Sequence, residues 1–91
     1  MAICIEFELV EVKGTVAQYR FGDCVKELTG LFEVDLYKLS NGETSWDTAM
    51  DKVVVLLNHG HSQAKANRAF SKIFKYYKET GEYLSMGGYY A

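Results

Sequence analysis

The apolar residues of this chain change their period about half-way along it. From Ile3 to Leu9 the odd positions Ile3, Ile5, Phe7 and Leu9 are apolar, while Glu6 and Glu8 take the alternate positions. That two-residue period belongs to a strand with one buried face, because successive side chains leave opposite faces of a sheet. From Ser62 onward, Ala66, Ala69, Phe70, Ile73, Phe74 and Tyr77 recur at intervals of three and four, which is the period of a helix with one apolar side. A chain that must cover a sheet face and then a helix stripe is confined to an α+β architecture. With 91 residues it has room for one core, so residues 1–91 are expected to form a single compact domain.

Within the first half, the apolar phase slips after Leu9, since Val10 and Val12 are apolar and Glu11 is not; a bulge near Val10 accounts for this. Lys13-Gly14 predicts a tight hairpin turn, and Ala17, Tyr19 and Phe21 alternate with Gln18 and Arg20 in a second strand. Gly22 to Gly30 reads as a connection, with a turn of helix that Asp23 could cap. Leu31 to Leu39 alternates again, Phe32, Val34 and Leu36 against Glu33, Asp35 and Tyr37, and Asn41-Gly42 marks the exit. Three strands joined by short links predict an antiparallel meander.

In the second half, Trp46, Met50, Val53, Val54 and Leu57 follow helical spacing, with Thr44 or Ser45 as the N-cap. Three valines within Val53 to Leu57 also suit a buried strand, so the segment is open to both readings. The next helix starts at the Ser62 cap and runs to about Glu79, with Gly81 just past its end. The tail, residues 82–91, is either an added strand or a loose end, and Tyr89 and Tyr90 on it are natural interface anchors. The expected fold is thus a three-stranded antiparallel meander, four-stranded if the tail joins it, packed on one face by two C-terminal helices.

Glu6, Glu8 and Glu11 follow the apolar start so closely that a signal peptide is not expected. The longest apolar run, Val53 to Leu57, is far short of the roughly 18 residues of a membrane span. Cys4 and Cys24, 20 residues apart and without a CxxC partner, fit reduced thiols in the cytoplasm, a single disulfide in a secreted domain being the rarer alternative.

The net charge of -2 hides a division. Residues 1–50 carry four cations against nine carboxylates, or -5, and residues 51–91 carry six against three, or +3. If the apolar strand faces meet the helices, Glu6, Glu8, Glu33 and Asp35 emerge together on the open face with Arg20, Gln18 and Tyr37 beside them. Such a face is either ordinary solvated surface or a docking surface for a basic protein partner. On the last helix, Lys65, Arg68, Lys72 and Lys75 fall within a sector of about 80°, opposite Phe70, Ile73 and Tyr77. This stripe is either the wet face of an amphipathic helix or a track for nucleic-acid phosphates.

Catalytic chemistry finds no such support. His59-Gly60-His61 offers two imidazoles, with Cys24 or an Asp as conceivable co-ligands, but no HExxH, cysteine pair or third ligand at metal spacing accompanies them. Cys4 lies among apolar strand residues, where a thiol packs as a small hydrophobe, and Asp23 gives Cys24 no means of lowering its pKa. The glycines form no phosphate loop. No enzyme, cofactor or metal is therefore expected.

The run Tyr19-Arg20-Phe21-Gly22, followed by Thr29-Gly30-Leu31-Phe32-Glu33-Val34-Asp35, resembles a pattern in small bacterial immunity proteins of polymorphic and contact-dependent toxin systems. There a strand ending Y-x-F-G leads to a strand of the form G-x-[FI]-x-[ILV]-D. The match spans about 17 of the 91 residues. The resemblance implies a cytosolic, non-enzymatic protein that binds and blocks one cognate toxin, often a nuclease or deaminase. It further implies that Arg20, Glu33 and Asp35 lie near the toxin-facing or fold-defining strands. The expectation is then an inhibitory module whose acidic sheet face, Glu6, Glu8, Arg20, Glu33, Asp35 and Tyr37, meets a basic toxin domain. A nucleic-acid-binding or regulatory protein using Lys65, Arg68, Lys72 and Lys75 is the alternative.

Overall fold

The computed structural model describes residues 4–45, 47–58 and 60–90. Its elements, in chain order, are β1 (Cys4–Lys13), β2 (Val16–Asp23), β3 (Gly30–Asp35), α1 (Leu36–Ser40), α2 (Met50–Val53), β4 (Val55–Leu56), α3 (Gln63–Thr80) and β5 (Met86–Tyr90). The strands form one five-stranded sheet in the order β4-β3-β2-β1-β5, and every neighbouring pair is antiparallel. The α+β meander read from the periodicity is therefore present, widened by one strand at each edge.

The β1–β2 hairpin turns at Gly14-Thr15, where Gly14 takes φ +61°, a backbone conformation that glycine adopts without a Cβ clash. The register slips between Leu9 and Glu11, as the change of phase at Val10 predicts. Ile5, Phe7, Ala17, Tyr19, Phe21, Phe32 and Val34 are buried on one sheet face, against Ala66, Ala69, Phe70, Ile73 and Phe74 of α3. Tyr19 is central: its ring stacks on Phe32 with centroids 5.6 Å apart and meets the edge of Phe7 at 6.1 Å. Offset-stacked and edge-on rings add to the hydrophobic gain of burial. Helix α3 begins at Ser62, whose hydroxyl accepts from the Lys65 N–H, and stops at Gly81 in the left-handed conformation.

Several boundaries differ from the sequence reading. The third strand ends at Asp35 rather than Leu39, because the Asp35 carboxylate accepts the Lys38 N–H at 3.0 Å and starts α1. Leu36 and Leu39 are then buried from a helical turn, which satisfies the same apolar residues that suggested a longer strand. The second helix shrinks to the single turn α2. Ser45 accepts the Asp47 N–H and Ala49 at the start of α2 offers no capping side chain, so no helix is nucleated at 44–45; Trp46 lies outside the described residues. Val55 and Leu56 then pair with Glu33 and Phe32, as suits the β-branched run. The expected two packing helices are replaced by α3 and the short turns α1 and α2.

The connection after β2 holds no helical turn; β2 continues to Asp23 and the chain reverses with Lys26 N–H bonded to the Asp23 carbonyl at 3.2 Å. The tail is a strand: β5 pairs with β1 from Cys4↔Tyr90 to Glu8↔Met86. The expectation of free thiols is also corrected. Cys4 and Cys24 form a disulfide with Cα atoms 5.4 Å apart. The antiparallel register carries them together, since the Cys24 N–H donates to the Cys4 carbonyl at 3.1 Å, whereas a separation of 20 in sequence gives no hint of it.

Candidate functional site

The helices and the core occupy one side of the sheet, so residues of opposite parity form the other face, over which the loop after β2 folds at Gly22. Glu6 and Glu8 alternate with the buried Ile5 and Phe7 on β1, Gln18 and Arg20 with Ala17, Tyr19 and Phe21 on β2, and Glu33 with Phe32 and Val34 on β3. Register brings them into rows: Glu8 lies opposite Arg20, Glu6 opposite Gly22, and Glu33 between Gln18 and Val55. Arg20 forms an ion pair with Glu8, with both side chains partly exposed. Glu6 accepts the Val25 N–H at 3.3 Å. The carboxylates of Glu6, Glu8 and Glu33 thus share one face, with Arg20 as the cation built into its strands.

The other two expected members behave differently. Asp35 is committed locally: one oxygen caps α1 and the other accepts the Thr15 hydroxyl at 2.6 Å. Tyr37 is exposed, but it rides on α1 beyond the end of β3. It left the sheet because Asp35 converts the end of the alternating run into a helix cap.

Strand β5 adds what the sequence reading did not assign to this face. Met86, Gly88 and Tyr90 lie opposite Glu8, Glu6 and Cys4, and Met86 and Tyr90 are 61% and 67% exposed. With Lys26 and Leu28 from the loop after β2 they wall a groove of about 260 Å³, whose polar lining includes Glu6 and Glu8. Only the pairing partner of the tail fixes which of its residues share a face with the carboxylates, and a single sequence does not give that partner. Of the two expected anchors, Tyr90 is on the open face and Tyr89 turns toward α3.

The basic stripe of α3 is partly engaged. Lys65 donates to Asp23 at 2.7 Å, a bond that holds the Asp23 carboxyl below the usual carboxylate range. The Lys72 ammonium stands 5.7 Å from the centroid of the Tyr89 ring. Arg68 and Lys75 take part in no ion pair among the described residues.

Of the histidine pair, His59 lies outside the described residues, and His61 meets the edge of the Phe21 ring at 5.9 Å. Cys24, the conceivable co-ligand, is bonded to Cys4. Among the described residues no three His, Cys, Asp or Glu side chains are grouped as a metal site requires, and no helix is long and apolar enough to cross a membrane. The chain matches no protein-family model, no curated protein and no solved structure.

Proposed function

We propose that this chain is a binding and inhibitory module of the immunity-protein type, which blocks a cognate toxin domain through the open face of its sheet. The observation that carries the reading is the gathering of Glu6, Glu8 and Glu33 on the sheet face away from the helices, which the loop after β2 covers only in part, with Met86 and Tyr90 beside them. Glu6 and Glu8 share β1 and Glu33 lies two strands away on β3, so it is their summed field, not a direct pair, that would steer the approach of a basic partner. The groove between Met86, Tyr90 and Leu28 has Glu6, Glu8 and Lys26 in its wall; with Glu8 paired to Arg20, Glu6 and the Tyr90 ring are the groups that would receive the cationic head of a partner's lysine or arginine. Occupying a basic cleft in this way would exclude an anionic substrate, and the catalysis belongs to the partner.

Cytosolic residence is part of the proposal. Disulfides are rare in the reducing cytosol, so the state of Cys4 and Cys24 in protein alkylated at lysis bears directly on it.

The test is co-expression with the product of the neighbouring open reading frame, measuring rescue from toxicity and the salt dependence of the complex. Glu6→Lys with Glu33→Lys should abolish rescue and complex while leaving the circular dichroism unchanged. Rescue by the doubly reversed variant would overturn the proposal. The nucleic-acid reading of α3 has less support, because Lys65 is held by Asp23. It requires a filter-binding affinity that falls steeply with salt.

A further inference from the structure

Among the described residues the sheet has two free edges, and they are not alike. β4 is two residues long, too short to template another strand. β5 is five residues, Met-Gly-Gly-Tyr-Tyr, without a charge or a proline, and its pairing with β1 runs without a bulge. Edge strands are usually blunted by charge, proline, bulges or shortness, and β5 has none of the first three.

Its free hydrogen-bonding groups can be assigned. The Leu9 N–H donates to the Ser85 carbonyl at 2.8 Å, and bonded and non-bonded pairs alternate along an antiparallel ladder. Gly87 and Tyr89 therefore bond to β1, while the N–H and C=O groups of Met86, Gly88 and Tyr90 point to the outer edge. No further described strand pairs there.

The helix side of this edge is cationic. Tyr89 faces α3 beneath Lys72, and Arg68 and Lys75 lie about one turn to either side of Lys72 on the same stripe. A strand laid beside β5 would send every second side chain toward these groups.

We propose that β5 receives an extended segment of a partner protein as a sixth strand, with acidic residues at the alternate positions that face α3. Main-chain bonds to Met86, Gly88 and Tyr90 supply the docking, and Lys72, Lys75 and Arg68 select the side chains. A second copy of this chain fits less well. Pairing two β5 strands about a dyad normal to the sheet places both α3 helices on one side and brings two basic stripes together, and β5 has no carboxylate to offset them. The proposal is independent of the open-face reading, since it uses the edge and the opposite side of the sheet.

The test is a titration of the isotope-labelled protein with two synthetic peptides of about seven residues, typical strand length, one alternating threonine and glutamate and the other threonine and lysine. The glutamate peptide should shift the backbone amides of Met86, Gly88 and Tyr90, and the lysine peptide should not. Lys72→Glu with Lys75→Glu should weaken the glutamate peptide about tenfold, the loss expected for two partly exposed ion pairs. Met86→Pro, which removes an outward N–H that the ladder to β1 does not use, should weaken it as well while the amide spectrum of β1 stays native. Glu6→Lys with Glu33→Lys should leave peptide binding unchanged, which separates this edge from the open face. Equal response to both peptides, shifts confined to other strands, or broadening of the β5 amides with protein concentration alone would overturn the proposal, the last in favour of a second copy.

Discussion

The Tyr19 hydroxyl donates a 2.7 Å hydrogen bond to the backbone carbonyl of Leu84, joining the middle strand of the sheet to the segment that leads into β5 across 65 positions of sequence. Tyr19 is fully buried, and a buried phenol needs such a partner because an unpaired polar group in the core costs free energy. The bond also ties the segment between α3 and β5 to the middle strand.

Tyr19→Phe should lower stability by about 1 kcal/mol near neutral pH, the net worth of a typical hydrogen bond plus an orphaned carbonyl. It should also alter the alkaline limb. Burial, with Tyr83 nearby, raises the Tyr19 pKa well above its ordinary value. Stability from the protonated phenol is then complete below the unfolded pKa of about 10 and is lost as pH rises beyond it. Urea titrations at neutral pH and above pH 10 should show a shallower alkaline loss in the variant; an unchanged slope would exclude Tyr19 as the responsible group.

The Cys4–Cys24 bond closes the whole β1–β2 hairpin. A loop of that length is worth roughly 3 kcal/mol through the unfolded chain. Cys4→Ser with Cys24→Ser should lower the denaturation midpoint accordingly, and the unaltered protein in excess reductant should coincide with it. Two midpoints that stay apart in reductant would show that the serines act through packing rather than through the lost bond.

Gly30 is required by its neighbour across the ladder. A Cβ there would stand 2.6 Å from a ring carbon of Phe21, and Gly30 pairs directly with Phe21. Gly30→Ala should cost about 1–3 kcal/mol, the usual range for overpacking a filled core. Adding Phe21→Leu should return part of that loss, a coupling that a double-mutant cycle measures.

How much of this was legible in the sequence depended on whether the deciding partner was near or far along the chain. The alternation around Phe7, the Gly14 turn and the Ser62 and Gly81 caps are local signals, and each appears where its residues place it. The carboxylates at 6, 8 and 33 follow from period alone, so their shared face was readable too. The tail was not. Met86-Gly-Gly-Tyr-Tyr is a strand because β1 has a free edge and Tyr19 anchors Leu84, and neither condition is written within residues 82–91. The disulfide depends in the same way on a register between strands. At Val53 to Leu57 helical spacing and β-branched content conflict, and the chain divides them: one turn of helix, then two residues paired to β3.

Asp35 and Glu33 look equivalent in an alternating run, yet their bonds separate them. Asp35 caps α1 through the Lys38 N–H and accepts the Thr15 hydroxyl, so Asp35→Ala removes a cap and a part-buried hydrogen bond at once. Each is worth about 1 kcal/mol, and the thermal midpoint should fall to match. Glu33→Ala touches no such bond among the described residues, and a surface change of this kind should stay within about 0.5 kcal/mol. Binding should respond in the opposite order: once stability is allowed for, Glu33→Ala weakens a basic partner more than Asp35→Ala does. Equal stability losses in the two variants would remove the distinction, because the capping bond of Asp35 would then carry no weight in the folded chain.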